Sequence, residues 1–332
     1  MTSPSDTTKY ANLSLVPTAH EPRASKFDRL FQESIAIEAE DAKKFGHVGY
    51  INRVMVQATL PYREPLHLKD RNVFGRRAGE WTLVIQQGVA LEEAVRVDGK
   101  GRKHVELIEK PIGFPYGSKP RLLLAWMGRE IKLKKSREIV LGESLTKFMD
   151  QLGFEGATGG RNGSMTLMKQ QMMRLFSARI ALVRGVDPES SKFESSFMQI
   201  ADRTEFWWNR GNPDQLSLYQ NRVEISEKFY NELHDHTVPV DLRVLRALKQ
   251  SPLDLDLYMF LTYRYFILSK RTVIPWEALQ MQFGTEIHNP RHFKAKVIKA
   301  LSSISVVYPA ARYETNSSGL VLFPSRTSIS AG

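Results

Sequence analysis

The chain has 332 residues, enough for two modest domains with separate cores, and a net charge of +11 that points to a polyanionic partner, nucleic acid ahead of an anionic membrane surface. Its composition, 42% hydrophobic and 25% charged, is that of a soluble globular protein. There is no cysteine, which excludes disulfides, thiolate zinc sites and cysteine nucleophiles together and fits a reducing, cytoplasmic setting.

Residues 1–25 hold no continuous apolar run, so they are predicted to be a disordered tail and not a signal peptide. Lys26 to Lys44 has helical spacing, with Phe27, Leu30, Phe31, Ile35 and Ile37 apolar. From Tyr50 to Lys110 the pattern changes to short β-rich runs, YINRVMVQATL, EWTLVIQQ and KHVELIEK, separated by basic turns. Residues 26–110 are therefore expected to form a helix and a β-rich extension that packs on the unit beginning at Pro111. Its sheet is also a candidate surface for a homodimer.

Residues 111–236 read as one unit. The helical run PRLLLAWMGREI carries Pro120 in its first turn, where a missing N–H does no harm. The strand EIVLG comes next, then the helix ESLTKFMDQL, stopped by Gly153 in the left-handed position that ends helices. Asn162 or Ser164 is placed to cap a second helix, MTLMKQQMMRLFS, with Met165, Met168, Met172, Leu175 and Phe176 on one face. ARIALVR and SFMQIADRTEFWW are expected to close the unit as a hairpin around GVDPESSK.

Residues 237–332 repeat this order. Ser251-Pro252-Leu253-Asp254 resembles a capping box opening a buried helix through Leu268, a stretch too short and too charged to cross a bilayer. The strand RTVI, the helix PWEALQMQF ended by Gly284, and the helix RHFKAKVIKALSSI come after it. SVVYPAARYE and GLVLFPS are expected as two closing strands. Helix, strand, helix, helix, hairpin is the order of a winged helix. The fold class read from the residues is α+β: two tandem winged-helix domains, a diverged duplication, with an N-terminal β-rich extension.

The glycine-rich stretch GFEGATGGRNGS, Gly153 to Ser164, lacks the Lys-Ser/Thr pair that a nucleotide-binding P-loop needs after its last glycine. It reads either as a plain inter-helix loop or as a backbone surface facing DNA phosphate, with Arg161 beside it and a helix N-terminus behind it. Candidate DNA contacts in the first unit are Arg161, Asn162, Ser164, Thr166, Lys169, Gln170 and Arg174. Gln170 and Arg174 suit adenine and guanine edges, or else lie on a solvated face. In the second unit the candidates are Arg291, His292, Lys294 and Lys299. Arg291, Ala295, Lys299 and Ser302 line the side opposite the core stripe of Phe293, Val297, Leu301 and Ile304.

Other motifs favour structural readings. Asp254 and Asp256 sit two apart on a helix and do not share a face. His234-Asp235-His236 is similar to the metal-binding histidine pair of nicking enzymes, but it falls in a helical segment with an acid between the histidines. Trp207 and Trp208 either stack on unpaired bases or split between core and rim. Lys132 to Arg137 is either a solvated connector or a phosphate contact. No metal or cofactor site is expected.

GFPYGSKPRLLLAWM, LGESLTKFMDQLG, GGRNGSMTLMKQQMMRLF, LDLYMFLTYR and IPWEALQMQFG together resemble the plasmid-encoded RepA family of replication initiators, over roughly Pro111 to Ser325. The resemblance implies a DNA-binding protein that recognises repeated origin sequences (iterons), opens the adjacent duplex and represses its own gene. It also implies host partners, an initiator and the replicative helicase, and a role in plasmid copy control without catalysis. An origin-nicking or priming enzyme and a plain winged-helix repressor are the alternatives.

Overall fold

The computed structural model describes residues 25–68, 71–142, 144–160, 163–184, 194–206, 221–284 and 286–329. The predicted tail, apart from Ser25, and Trp207 and Trp208 lie outside them. Helix α1 (Lys26–Ala39) begins with a reciprocal cap, in which the Ser25 hydroxyl accepts from the Asp28 amide and the Asp28 carboxylate accepts from the Ser25 amide. It ends five residues earlier than its spacing predicts, because the Asp41 carboxylate accepts from the Lys43 and Lys44 amides and folds that segment into a turn.

The run from Tyr50 is not one strand. Strand β1 (Val48–Asn52) gives way to a short helix α2 (Arg53–Gln57), since the Asn52 side chain accepts from the Val54 amide and caps it. The strands β2 (Val73–Ala78) and β3 (Trp81–Gln86) form a hairpin. After it, β4 (Gly88–Val97) and β5 (Lys103–Gly113) form a long two-stranded ribbon whose tip is held by Asp98, which accepts from the Lys100 and Arg102 amides.

The next elements are α3 (Ser118–Lys134), β6 (Glu138–Val140), α4 (Leu145–Gln151), α5 (Ser164–Ser177), β7 (Arg179–Arg184), β8 (Glu194–Gln199), β9 (Ala201–Glu205) and β10 (Arg222–Ile225). A connecting segment, α6 (Glu227–Asp235), β11 (Thr237–Asp241) and α7 (Leu242–Leu248), leads to α8 (Pro252–Ile267), β12 (Thr272–Pro275), α9 (Trp276–Phe283), α10 (Pro290–Val307), β13 (Tyr313–Thr315) and β14 (Gly319–Leu322). Two three-stranded antiparallel sheets have matching orders, β6-β10-β9 and β12-β14-β13, so helix, strand, helix, helix and hairpin occur twice with the same strand pairing.

Two expectations about the closing strands are corrected. The expected hairpin of the first unit forms, β7 with β8, but it joins the extension in a four-stranded sheet, β2-β3-β7-β8, and β9 with β10 takes its place beside β6. The strand SFMQIADRTE breaks at buried Ile200, where its two halves enter different sheets. In the second unit SVV is not strand but the last turn of α10, kept helical because Ile304 and Val307 continue its buried stripe.

One contiguous hydrophobic core runs through both units and the extension. Where α3 crosses β1, Gly128 permits close approach: a Cβ there would lie 1.9 Å from the Tyr50 carbonyl oxygen.

Candidate nucleic-acid interface

In the second unit the Asn289 side chain accepts from the Arg291 and His292 amides (2.9 and 3.2 Å) and caps α10, with Pro290 in the first turn. Phe293, Val297, Ala300, Leu301 and Ile304 are buried, which turns Arg291, His292, Ala295, Lys296, Lys299 and Ser302 to solvent. Lys294 is different. Its Nζ lies 4.9 Å from the Trp276 ring centroid and donates to the Asn316 carbonyl at 3.2 Å, while Trp276 Nε1 donates to the same oxygen at 2.9 Å. Both side chains therefore hold the β13–β14 turn against α9 and α10. Sequence spacing marked Lys294 as a contact and gave no sign of this role for Trp276.

In the first unit α4 ends as the sequence predicts. Gly153 has φ +80°, its amide donates to the Asp150 carbonyl, and the Phe154 amide reaches back to Met149, the paired bonds of a Schellman motif. Arg246 donates to the Gln151 carbonyl at 2.5 Å and Lys249 to the Gly153 carbonyl, so α7 supplies two cations to the negative end of α4.

The cap of α5 differs from expectation. Gly163 is the cap residue and makes no side-chain capping bond; Ser164 is the first helical residue, and its hydroxyl accepts from the Thr158 amide at 2.9 Å. Thr166 donates its hydroxyl proton to the Gly160 carbonyl at 2.7 Å. These two bonds fold the glycine loop onto the helix start, leaving Gln170 exposed on α5 between Leu167 and Met173, with Lys169 half-buried. Arg161 and Asn162 lie outside the described residues.

Arg174 does not belong to that exposed face. Its side chain is 14% exposed, pairs with Glu64 at 2.7 Å, donates to the Phe114 carbonyl and lies over the Tyr116 ring. A guanidinium so engaged positions the loop before α3 and is not free for a base edge.

A buried ionic junction joins the two units, and sequence reasoning missed it. Arg121 on α3 donates all five of its N–H groups: two to Asp256 on α8 (2.6 and 2.8 Å) and three to the carbonyls of Leu60, Pro61 and Gly117. Burial opposes the Arg121 charge, but the Asp256 carboxylate beside it raises its pKa above the ordinary value. Burial also pushes up the pKa of the neighbouring Tyr62 phenol, with the Asp256 charge adding to the shift. Arg76 lies 5.1 Å from the Tyr62 ring centroid and pairs with Glu286, in the loop leading into α10, at 2.8 Å; Glu286 also accepts from the Tyr62 amide at 3.0 Å. The approach to α10 is thus tied to the extension and through it to α3. Asp256 is structural, as its helix spacing predicts, and so is Asp254, which takes the Ser251 cap and the Lys26 ammonium.

Among the described residues no group of three His, Asp or Glu side chains is placed to hold a metal ion, and His234 and Asp235 end α6 as a helical segment. Among the described residues no helix is long and apolar enough to cross a membrane.

The architecture is that of an α+β protein built on a repeated helical and hairpin unit, with a cation-bearing helix exposed in the second repeat. Residues 114–278 match the family model of plasmid encoded RepA protein, and over that segment the chain belongs to the RepA family of plasmid replication initiators. Two solved structures of domains 2 and 3 of RctB are similar to it. A selenomethionine derivative has 12% identity and a TM-score of 0.46, covering 84% of this chain and 96% of its own; the second has 14% identity and a TM-score of 0.43, covering 81% and 94%. No curated protein matches the chain.

Proposed function

We propose that the protein initiates plasmid replication by binding repeated origin DNA through two tandem winged helices, with α5 and α10 entering successive major grooves on one face of the duplex. The observation that carries this reading is the repeated unit whose last long helix, α10, buries one stripe and turns Arg291, His292, Lys296 and Lys299 outward. Cations on such a face neutralise phosphates and release counterions, while the exposed Gln170 of α5 has the donor and acceptor pair that reads adenine. Opening of the neighbouring duplex results from distortion as adjacent repeats fill. Once opened, the origin receives the host initiator and the replicative helicase. Bound at its own promoter, the protein represses its gene. The protein has no catalytic role in this scheme.

The test is a footprint of the purified protein on DNA flanking its own gene. Regularly spaced protection over direct repeats, with permanganate-reactive thymines in a nearby AT-rich segment, supports an origin-opening initiator. A single protected palindrome over the promoter without distortion supports a repressor instead. Relaxation of supercoiled origin DNA in the presence of magnesium would point to a nicking enzyme.

A further inference from the structure

Helices α3 and α7 border a cleft of about 520 Å³, within the size range of small-molecule sites. Trp126, Arg129 and Glu130 lie three and four positions apart and share one face of α3, and Leu242 and Arg246 share one face of α7. Trp126 and Leu242 are buried and form its floor. The turn folded by Asp41 brings Phe45, 52% exposed, to its rim.

The polar side of the cleft is mostly cationic. Arg129 donates from Nε to the Gly46 carbonyl at 2.9 Å and from Nη1 to one oxygen of Glu130 at 2.8 Å, and Lys134 pairs with the other oxygen at 2.9 Å. Arg246 donates from Nη2 to the Gln151 carbonyl and has no carboxylate partner among the described residues. Arg129 Nη2 and Arg246 Nε and Nη1 are thus left without an acceptor among those residues. Burial, and then the Arg129 charge, lower the pKa of Arg246, which Glu155 and Asp241 offset only in part. His47, also on the lining, faces Glu40 at 3.5 Å. Arg129, Lys134 and Arg246 therefore share the single carboxylate of Glu130, and the cleft lacks negative charge.

We propose that this cleft binds a free nucleotide, with its phosphates on the open edges of Arg129 and Arg246 and its base against the Phe45 ring. A guanidinium offers paired N–H donors to phosphate oxygens, and two guanidiniums already held by backbone carbonyls present them with little further ordering. Phe45 supplies the flat apolar surface on which a base stacks. Lys44, whose Nζ lies 5.8 Å from the centroid of that ring, adds another cation at the rim. Among the described residues none of the lining comes from α5 or α10, so the inference stands apart from the DNA-binding reading.

Isothermal titration calorimetry of the full chain with ATP, AMP, adenosine and inorganic triphosphate tests it. ATP should bind saturably and one to one, AMP more weakly and adenosine weakest, because the guanidiniums take phosphoryl charge. Arg246→Gln should raise the ATP dissociation constant by about tenfold or more, and Arg246→Lys, which keeps the charge, by less. Phe45→Ala, on an exposed turn, should weaken ATP several-fold and leave triphosphate within about twofold, a split that a merely misfolded cleft would not give. ATP affinity weaker than about 1 mM, ATP binding indifferent to Arg246→Gln, or equal effects of Phe45→Ala on ATP and triphosphate overturns the proposal. So does an oligothymidylate that binds through Arg246 and Phe45 where ATP does not, since the cleft would then hold a single strand.

Discussion

Replacing Asp256 with Ala should destabilise the protein by about 3–5 kcal/mol, because it leaves a buried guanidinium without its counter-charge. The Arg121 and Asp256 side chains are 3% and 1% exposed, so solvent cannot take the carboxylate's place. The carbonyls of Leu60, Pro61 and Gly117 would still accept from Arg121, but they carry no net charge, and two of five donors would lose their acceptor. Against a total stability of about 5–15 kcal/mol the loss is large. Since the pair links α3 to α8, the first helix of each repeat, the two repeats should be loosened together. Equilibrium urea unfolding, followed by circular dichroism, measures the change as a lower midpoint. The paired variant Arg121→Met with Asp256→Leu removes both charges and should recover at least half of the loss, giving a coupling energy well above experimental error. A loss below about 1 kcal/mol for Asp256→Ala, the value of an exposed pair, would refute the reasoning. So would strict additivity in the cycle.

Arg291→Ala and Lys299→Ala should each weaken binding to origin DNA broadly across sequences and reduce the slope of log affinity against log salt by about one, read by fluorescence anisotropy at several salt concentrations; unchanged slopes would remove α10 from the interface. Arg174→Ala should lower stability by about 1–3 kcal/mol through loss of its bonds to Glu64 and the Phe114 carbonyl, leaving base preference intact, as a binding-site selection would reveal. Gly153→Ala should cost about 1–2 kcal/mol, because the residue has φ +80° and a Cβ would press on the Arg246 side chain, and thermal unfolding reports it.

Helices were the legible part of the sequence. Their hydrogen bonds close within four residues, so the cap at Ser251, the stop at Gly153 and the buried stripes of α5 and α10 are written in neighbouring side chains. The repeated order of elements comes from the same local signals. Strand partners are not local: β7 is a short continuous apolar run that suits any neighbour, and only the folded chain assigns it to β3, about a hundred positions earlier, instead of to the sheet of its own repeat.

Of the candidate contacts, the exposed positions of α10 could be read from the sequence because a stripe that buries Phe293, Val297 and Leu301 forces Arg291 and Lys299 outward. Arg174 could not, since helical spacing fixes a direction and not the acid that meets the side chain there. The basic charge, the lack of cysteine, the helices and their doubling are all properties of residue order, complete before any fold is known. Three features had to wait for the folded chain: which strands pair, that Arg121 meets Asp256 across 135 positions, and that the β4–β5 ribbon leaves an aliphatic face open. Each of these depends on contacts between distant segments, whose closure is set by the whole core and not by any local pattern.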